Sequence, residues 1–177
     1  MLSKIQTQQS LFFYKKYQLY ILAALAFILL SAPSPLAMER ISRLGVGFSG
    51  QMKNDIPALS FKLQKSKSFA FGGLLGFSNK DNGGGHAAAI KIYRNIFDEP
   101  HLTFYGSVLG GIIKEKNQGN SESGFQADLT LGSEFSFAGL QSLGFSLEFG
   151  VSFYKLDDFV TETVGNNFLV AAVHFYL

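Results

Sequence analysis

The chain has no cysteine, no tryptophan, few charges and no acidic residue ahead of Glu39. Without cysteine there is no disulfide, no thiolate metal site and no lipid-anchored N-terminal cysteine. Charged residues make up 16% of the sequence, against roughly 25% in ordinary soluble domains, so little of the surface is built for water. The basic balance is confined to one end. Lys4, Lys15 and Lys16 precede residue 37, and beyond it 12 basic residues face 13 acidic ones, a net charge of −1. That excludes a nucleic-acid partner on electrostatic grounds. No segment after residue 37 repeats with a 3.6-residue period, so no helix is expected there.

What is present begins with an export signal. Three lysines lead into an apolar run from Tyr20 to Ala32, too short to cross a membrane as a helix of about 20 residues. Pro33 and Pro35 end it. Residues 1–37 are expected to be a cleaved signal peptide, cut after Ala37 or, alternatively, Ala32. Residues 38–177 form one domain.

That domain alternates. Phe125, Ala127, Leu129, Leu131 and Phe135 hold one phase against Gln126, Asp128, Thr130, Gly132, Glu134 and Ser136. Leu143, Phe145, Leu147, Phe149, Val151 and Phe153 hold it again against Gly144, Ser146, Glu148, Gly150, Ser152 and Tyr154. Side chains on a strand point alternately to opposite faces, so each run has one apolar face and one small, polar face. Runs of about ten residues suit a tilted strand crossing a bilayer. Six further segments repeat the pattern, starting at Leu44, Leu59, Phe69, Ala88, Leu102 and Leu169. Eight antiparallel strands are expected, joined in order around an up-and-down transmembrane barrel.

The connections alternate too. Those at 50–55, 79–85, 114–123 and 155–166 are polar, and tighter links lie at 65–68, 95–100 and 137–141. Outer-membrane barrels have short periplasmic turns and longer outside loops, which assigns the polar set to the outside. The final strand closes Val173-His174-Phe175-Tyr176-Leu177. With these features the chain resembles the small eight-stranded outer-membrane barrels of the OmpA transmembrane domain and OmpX type. The resemblance covers residues 43 to 177 and is architectural. It implies a monomer in the cell outer membrane, lipid around it, and a barrel-assembly machinery that reads the terminal strand. Family members usually end on an aromatic residue, whereas this chain ends on Leu177 behind Phe175 and Tyr176.

Alternation alone does not say which face meets lipid; a soluble exported lipocalin-like barrel would turn its apolar phase inward around a ligand. The polar phase here is rich in Gly, Ser and Thr and poor in charge, as the crowded bore of an eight-stranded barrel requires. The Phe-rich phase therefore faces lipid. Six charges then point inward: Arg43, Lys62 and Lys91 against Asp128, Glu134 and Glu148. An isolated buried charge costs several kcal/mol, so these six are expected to pair as a structural network. Glu134 would lie low, near Arg43 and Lys62, with Asp128, Glu148 and Lys91 nearer the middle. Aromatic girdles are expected from Phe48, Phe77, Phe97, Tyr105, Phe135, Phe137, Phe153 and Tyr154.

No catalytic centre, cofactor or metal site follows from the residues. His86, His101 and His174 are the only histidines. No serine lies two residues from His86, and His174 has no acid near it in sequence. A lipid A-modifying barrel enzyme would need a His–Ser–acid set near the outer rim, built from residues remote in sequence. Asn82-Gly83-Gly84-Gly85 lacks the GK[ST] of a phosphate loop, and Asp157, Asp158 and Glu162 lack calcium-loop spacing. The expected role is structural or surface-interactive, with neither a pore nor catalysis.

Overall fold

The computed structural model describes residues 40–53, 56–80, 83–117, 120–165 and 168–177; the signal peptide expected at 1–37 lies outside the described residues. Among the described residues nine strands follow in order: β1 (Leu44–Ser49), β2 (Ala58–Ser66), β3 (Phe69–Lys80), β4 (Gly83–Glu99), β5 (Leu102–Asn117), β6 (Asn120–Phe135), β7 (Leu143–Lys155), β8 (Phe159–Thr163) and β9 (Leu169–Tyr176). Each pairs antiparallel with its sequence neighbour from β1 to β8. β9 pairs with both β7 and β1, which closes the ring. The fold is therefore a closed eight-stranded up-and-down barrel, β1 to β7 plus β9. Closure leaves no open edge in the main wall, the condition a sheet must meet to stand in lipid.

β8 was not anticipated; residues 155–166 were expected as a polar loop. It continues the line of β9 along β7, pairing from Lys155↔Phe159 to Val151↔Thr163 before β9 resumes at Phe149↔Leu169. Only Gly150 separates the two paired stretches on β7, while residues 164–168 intervene on the other side. Gly165 and Phe168, the described residues on either side of 166–167, both have positive φ angles of 68°. The polar connections expected at 79–85 and 114–123 also shrink, because β3 to β6 run well past their expected ends. β4 has 17 residues, and β5 and β6 have 16 each, so one side of the barrel stands taller than the six-residue β1.

Strand phase follows the sequence throughout. The Phe- and Leu-rich phase is exposed, with Phe77 at 71%, Ile90 at 69% and Ile112 at 69%. An inward-facing apolar phase is thereby overturned. Tyr105 and Tyr154 are exceptions in the expected girdle: both sit on inward phases, Tyr105 of β5 fully buried and Tyr154 of β7 with its ring 5.6 Å from the buried Lys53 ammonium. Phe135, Phe137 and Phe145 do cluster at the end where β1 begins and β9 finishes, the terminal end of the barrel, with centroids 5.7–5.8 Å apart.

The interior has two storeys. At the end away from the termini, Met52, Ile56, Leu74, Ala87, Leu109 and Ile113 form an apolar core. Met52 and Ile56 come from the β1–β2 connection, which was expected to be a polar outside loop. It folds inward, burying Gln51, Met52, Lys53 and Ile56. The wall there carries Ala87, Ala89 and Gly111 on its inward phase, and such small side chains leave space that close packing must fill. The storey below is polar.

Candidate functional site

The polar storey is built from inward positions of six strands and two segments outside them. Its lower cluster centres on Glu134 of β6. Lys62 Nζ of β2 donates to Glu134 Oε2 at 2.9 Å, and Tyr176 OH of β9 donates at 2.8 Å to Oε1. Ser146 Oγ donates at 3.1 Å, and the Arg40 guanidinium completes the shell. The upper cluster centres on Glu148 of β7. Lys91 Nζ of β4 reaches both carboxylate oxygens, with Tyr105 OH at 2.9 Å and Thr130 Oγ1 at 2.8 Å. Both carboxylates are at most 2% exposed. Each thus has a cation and neutral donors, the arrangement that a buried charge requires.

Aromatic rings join the two clusters. The Lys62 ammonium lies 4.6 Å from the Tyr93 ring centroid and 4.7 Å from that of Tyr105, and Lys91 lies 5.0 Å from Tyr93. Tyr93 and Tyr105 meet edge-on at 5.3 Å. Ring faces carry negative potential, so two cations in one bore are partly compensated by the rings between them.

Gly132 makes the upper cluster possible. It stands opposite Tyr105 on one side and Glu148 on the other, so the two side chains meet across a strand position that has none. A Cβ there would lie 2.6 Å from Glu148 Cγ and 3.0 Å from Tyr105 Cε2. Gly47 plays the same part between Ser60 and His174, its register partners on β2 and β9.

Of the six charges expected inward, the structure brings Lys62 to Glu134 and Lys91 to Glu148. Asp128 is buried, but neutral groups hold it: Ser152 Oγ at 2.6 Å, Gln126 Nε2 at 2.8 Å and Gln51 Nε2 at 2.9 Å. Gln51 links it onward to Lys91. Arg43 is a correction. It precedes β1, is half-exposed, and has no ion pair among the described residues. Arg40 fills the expected role, because the turn at Ile41 and Ser42 carries the chain back beneath the barrel and brings its guanidinium 4.9 Å from the Tyr176 ring. No periodicity marks a residue ahead of the first strand. Lys53 was missed for the same reason: it pairs with Glu162 at 2.6 Å and donates to the carbonyls of Thr163 and Gly165 at 3.0 Å each.

Among the described residues one Ser–His–acid set assembles, inside the bore. Ser60 Oγ and His174 Nε2 are 2.8 Å apart, and His174 Nδ1 is 4.0 Å from Glu134 Oε2. That last distance exceeds a hydrogen bond, and Nδ1 has no partner. Glu134 is already engaged by four other groups, so it does not orient the ring as a catalytic acid would. Serine and histidine are both at most 2% exposed, out of reach of a substrate. His86 is exposed near the far end, and His101 lies in the β4–β5 turn. No cluster of three potential metal ligands is found among the described residues. A cavity of about 420 Å³ opens at the terminal end, lined by Arg40, Lys62, Gln64, Asp98, Thr103 and Glu134.

No family model matches the chain. No curated protein matches it either. Among solved structures it is similar to the N-terminal β-barrel domain of Pseudomonas aeruginosa OprF, with a TM-score of 0.60 and 13% identity over 78% of this chain and 100% of that one. At that identity the likeness establishes the fold, a closed eight-stranded barrel.

Proposed function

We propose that this chain is a small outer-membrane barrel of a Gram-negative cell envelope, with a structural or surface-interaction role, neither conducting nor catalytic. The observation that carries this reading is the inverted burial pattern. Phe, Leu, Ile and Val side chains cover the outside, while Lys62, Lys91, Asp128, Glu134 and Glu148 lie buried inside. Covering one large apolar side chain is worth roughly 1.5–3 kcal/mol, so in water such a belt would drive aggregation, whereas lipid satisfies it.

In this reading residues 1–37 direct export, residues 38–177 form the barrel, and the chain inserts as a monomer with the help of the barrel-assembly machinery. The termini and the turns at 67–68, 100–101 and 136–142 face the periplasm. The opposite end carries the turns that meet the exterior. The ion pairs of Lys62, Arg40 and Glu134 and of Lys91 and Glu148, with Asp128, plug the bore below the inward-folded β1–β2 connection. That filling supports a barrel that anchors its loops and passes no solute.

Membrane fractionation, followed by electrophoresis of boiled and unboiled samples, tests the assignment. Outer-membrane recovery with a boiling-dependent mobility shift is expected, together with no steady conductance in planar bilayers. A soluble periplasmic protein without the shift would sink the membrane assignment. Stable channels would sink the plug.

A further inference from the structure

Arg94 stands on the lipid-facing phase of β4, between Ile92 and Ile96, and is exposed. Its neighbours across the sheet are Phe69 on β3 and Gly106 on β5. It has no ion pair or side-chain hydrogen bond among the described residues. A cation on the lipid face costs about 2–4 kcal/mol at the bilayer midplane and little near the interface. Arg94 lies beside the β2–β3 turn, its neighbour Asn95 bonded to Ser68 O, at the border of the belt where lipid phosphates stand.

Beside Arg94 lies a groove of about 460 Å³ on the outer wall, with Ile92, Val108, Leu131 and Phe149 along its sides. Gly106 forms its floor. This glycine differs from those inside the barrel. A Cβ added there would meet only Leu131 Cδ2 at 3.7 Å and Thr130 O at 3.9 Å, ordinary contacts. Neither packing nor a positive φ requires glycine at this point, and what its missing side chain does is keep the groove open.

We propose that this groove binds one glycerophospholipid from the leaflet at the terminal end of the barrel. The lipid phosphate sits on the Arg94 guanidinium, and one acyl chain runs over Gly106 along the apolar walls. The charge selects the occupant. A second copy of this chain would have to bring both an acidic group to Arg94 and an apolar side chain into the groove, whereas a phospholipid carries phosphate and alkyl chain together. The site rests on the membrane-barrel reading above.

The test is native mass spectrometry of the detergent-folded full barrel with phosphatidylglycerol, phosphate-free dioleoylglycerol or lipid A. The wild type is expected to retain one phosphatidylglycerol in preference to the other two. Arg94→Gln should lower retention roughly tenfold, the factor for one charge-assisted hydrogen bond, with Arg94→Lys largely restoring it. Gly106→Leu, which fills the groove from a position with room for Cβ, should abolish retention. Equal retention of phosphatidylglycerol and dioleoylglycerol overturns the proposal, as does indifference to both Arg94→Gln and Gly106→Leu. Preference for lipid A assigns the wrong leaflet, and a dimer lost on Gly106→Leu gives the groove to a second copy; either refutes it. Unboiled mobility of the same samples separates the failures. A shifted barrel without lipid refutes the site alone, and an unshifted wild type refutes the membrane reading with it.

Discussion

Replacing Lys91 by methionine removes a charge while keeping most of the volume. Glu148 is then left as a buried carboxylate without its cation, holding only Tyr105 OH and Thr130 Oγ1. Removing one partner of a buried pair costs about 3–5 kcal/mol, and the two surviving hydrogen bonds place this case near the lower end, about 3 kcal/mol. Adding Glu148→Gln removes the stranded charge, keeps an oxygen for Tyr105 OH and offers an amide donor to Thr130 Oγ1, which can turn its own proton to Ser107. The double variant should therefore recover about 2 kcal/mol, a coupling energy typical of contacting buried groups. Since the chain has no tryptophan, unfolding is best followed as the fraction keeping compact mobility on unboiled gels across a urea series. The reasoning fails if the single variant lies within about 1 kcal/mol of wild type, the level of an exposed pair. It fails equally if the double variant is no more stable than the single.

Gly132→Ala forces a Cβ to within 2.6 Å of Glu148 Cγ and should cost about 1–3 kcal/mol, as overpacking does; the same urea series reads it. Leu129→Lys, on the outward phase at 60% exposure, should cost about 2–4 kcal/mol in lipid. A soluble barrel would instead tolerate it within about 0.5 kcal/mol, so refolding yield into vesicles distinguishes the two surroundings. Lys53→Ala frees the carbonyls of Thr163 and Gly165. Hydrogen exchange should rise across 159–165 while β4 to β6 keep their protection, and uniform loosening of the whole barrel would contradict a local role.

Phase was legible because a strand alternates with period two wherever it lies. Leu129 outward and Asp128 inward follow from the residues themselves, as do Lys62, Lys91, Glu134 and Glu148. Height was less legible. Ser60 and His174 lie 114 positions apart, yet they touch because both stand opposite Gly47 in register. A serine, a glycine and a histidine on inward phases of neighbouring strands were the available signal, but only pairing sets which rows coincide. Tyr105 looked like a girdle residue by its place near a strand end, and its phase, the better guide, puts it inside. Segments without period were unreadable: Arg40, Gln51 and Lys53 belong to turns, and nothing local says whether a turn folds over the rim or into the bore.

The sequence by itself determined a closed barrel of eight alternating strands with its apolar face outward, because burial repeats every second residue and the polar phase is too small and too weakly charged for water. Only the tertiary structure decided which charge meets which, that Arg40 stands where Arg43 was expected, and that the first connection fills the far end. Those outcomes depend on strand register and on the volume left inside the ring, two quantities that no single strand contains.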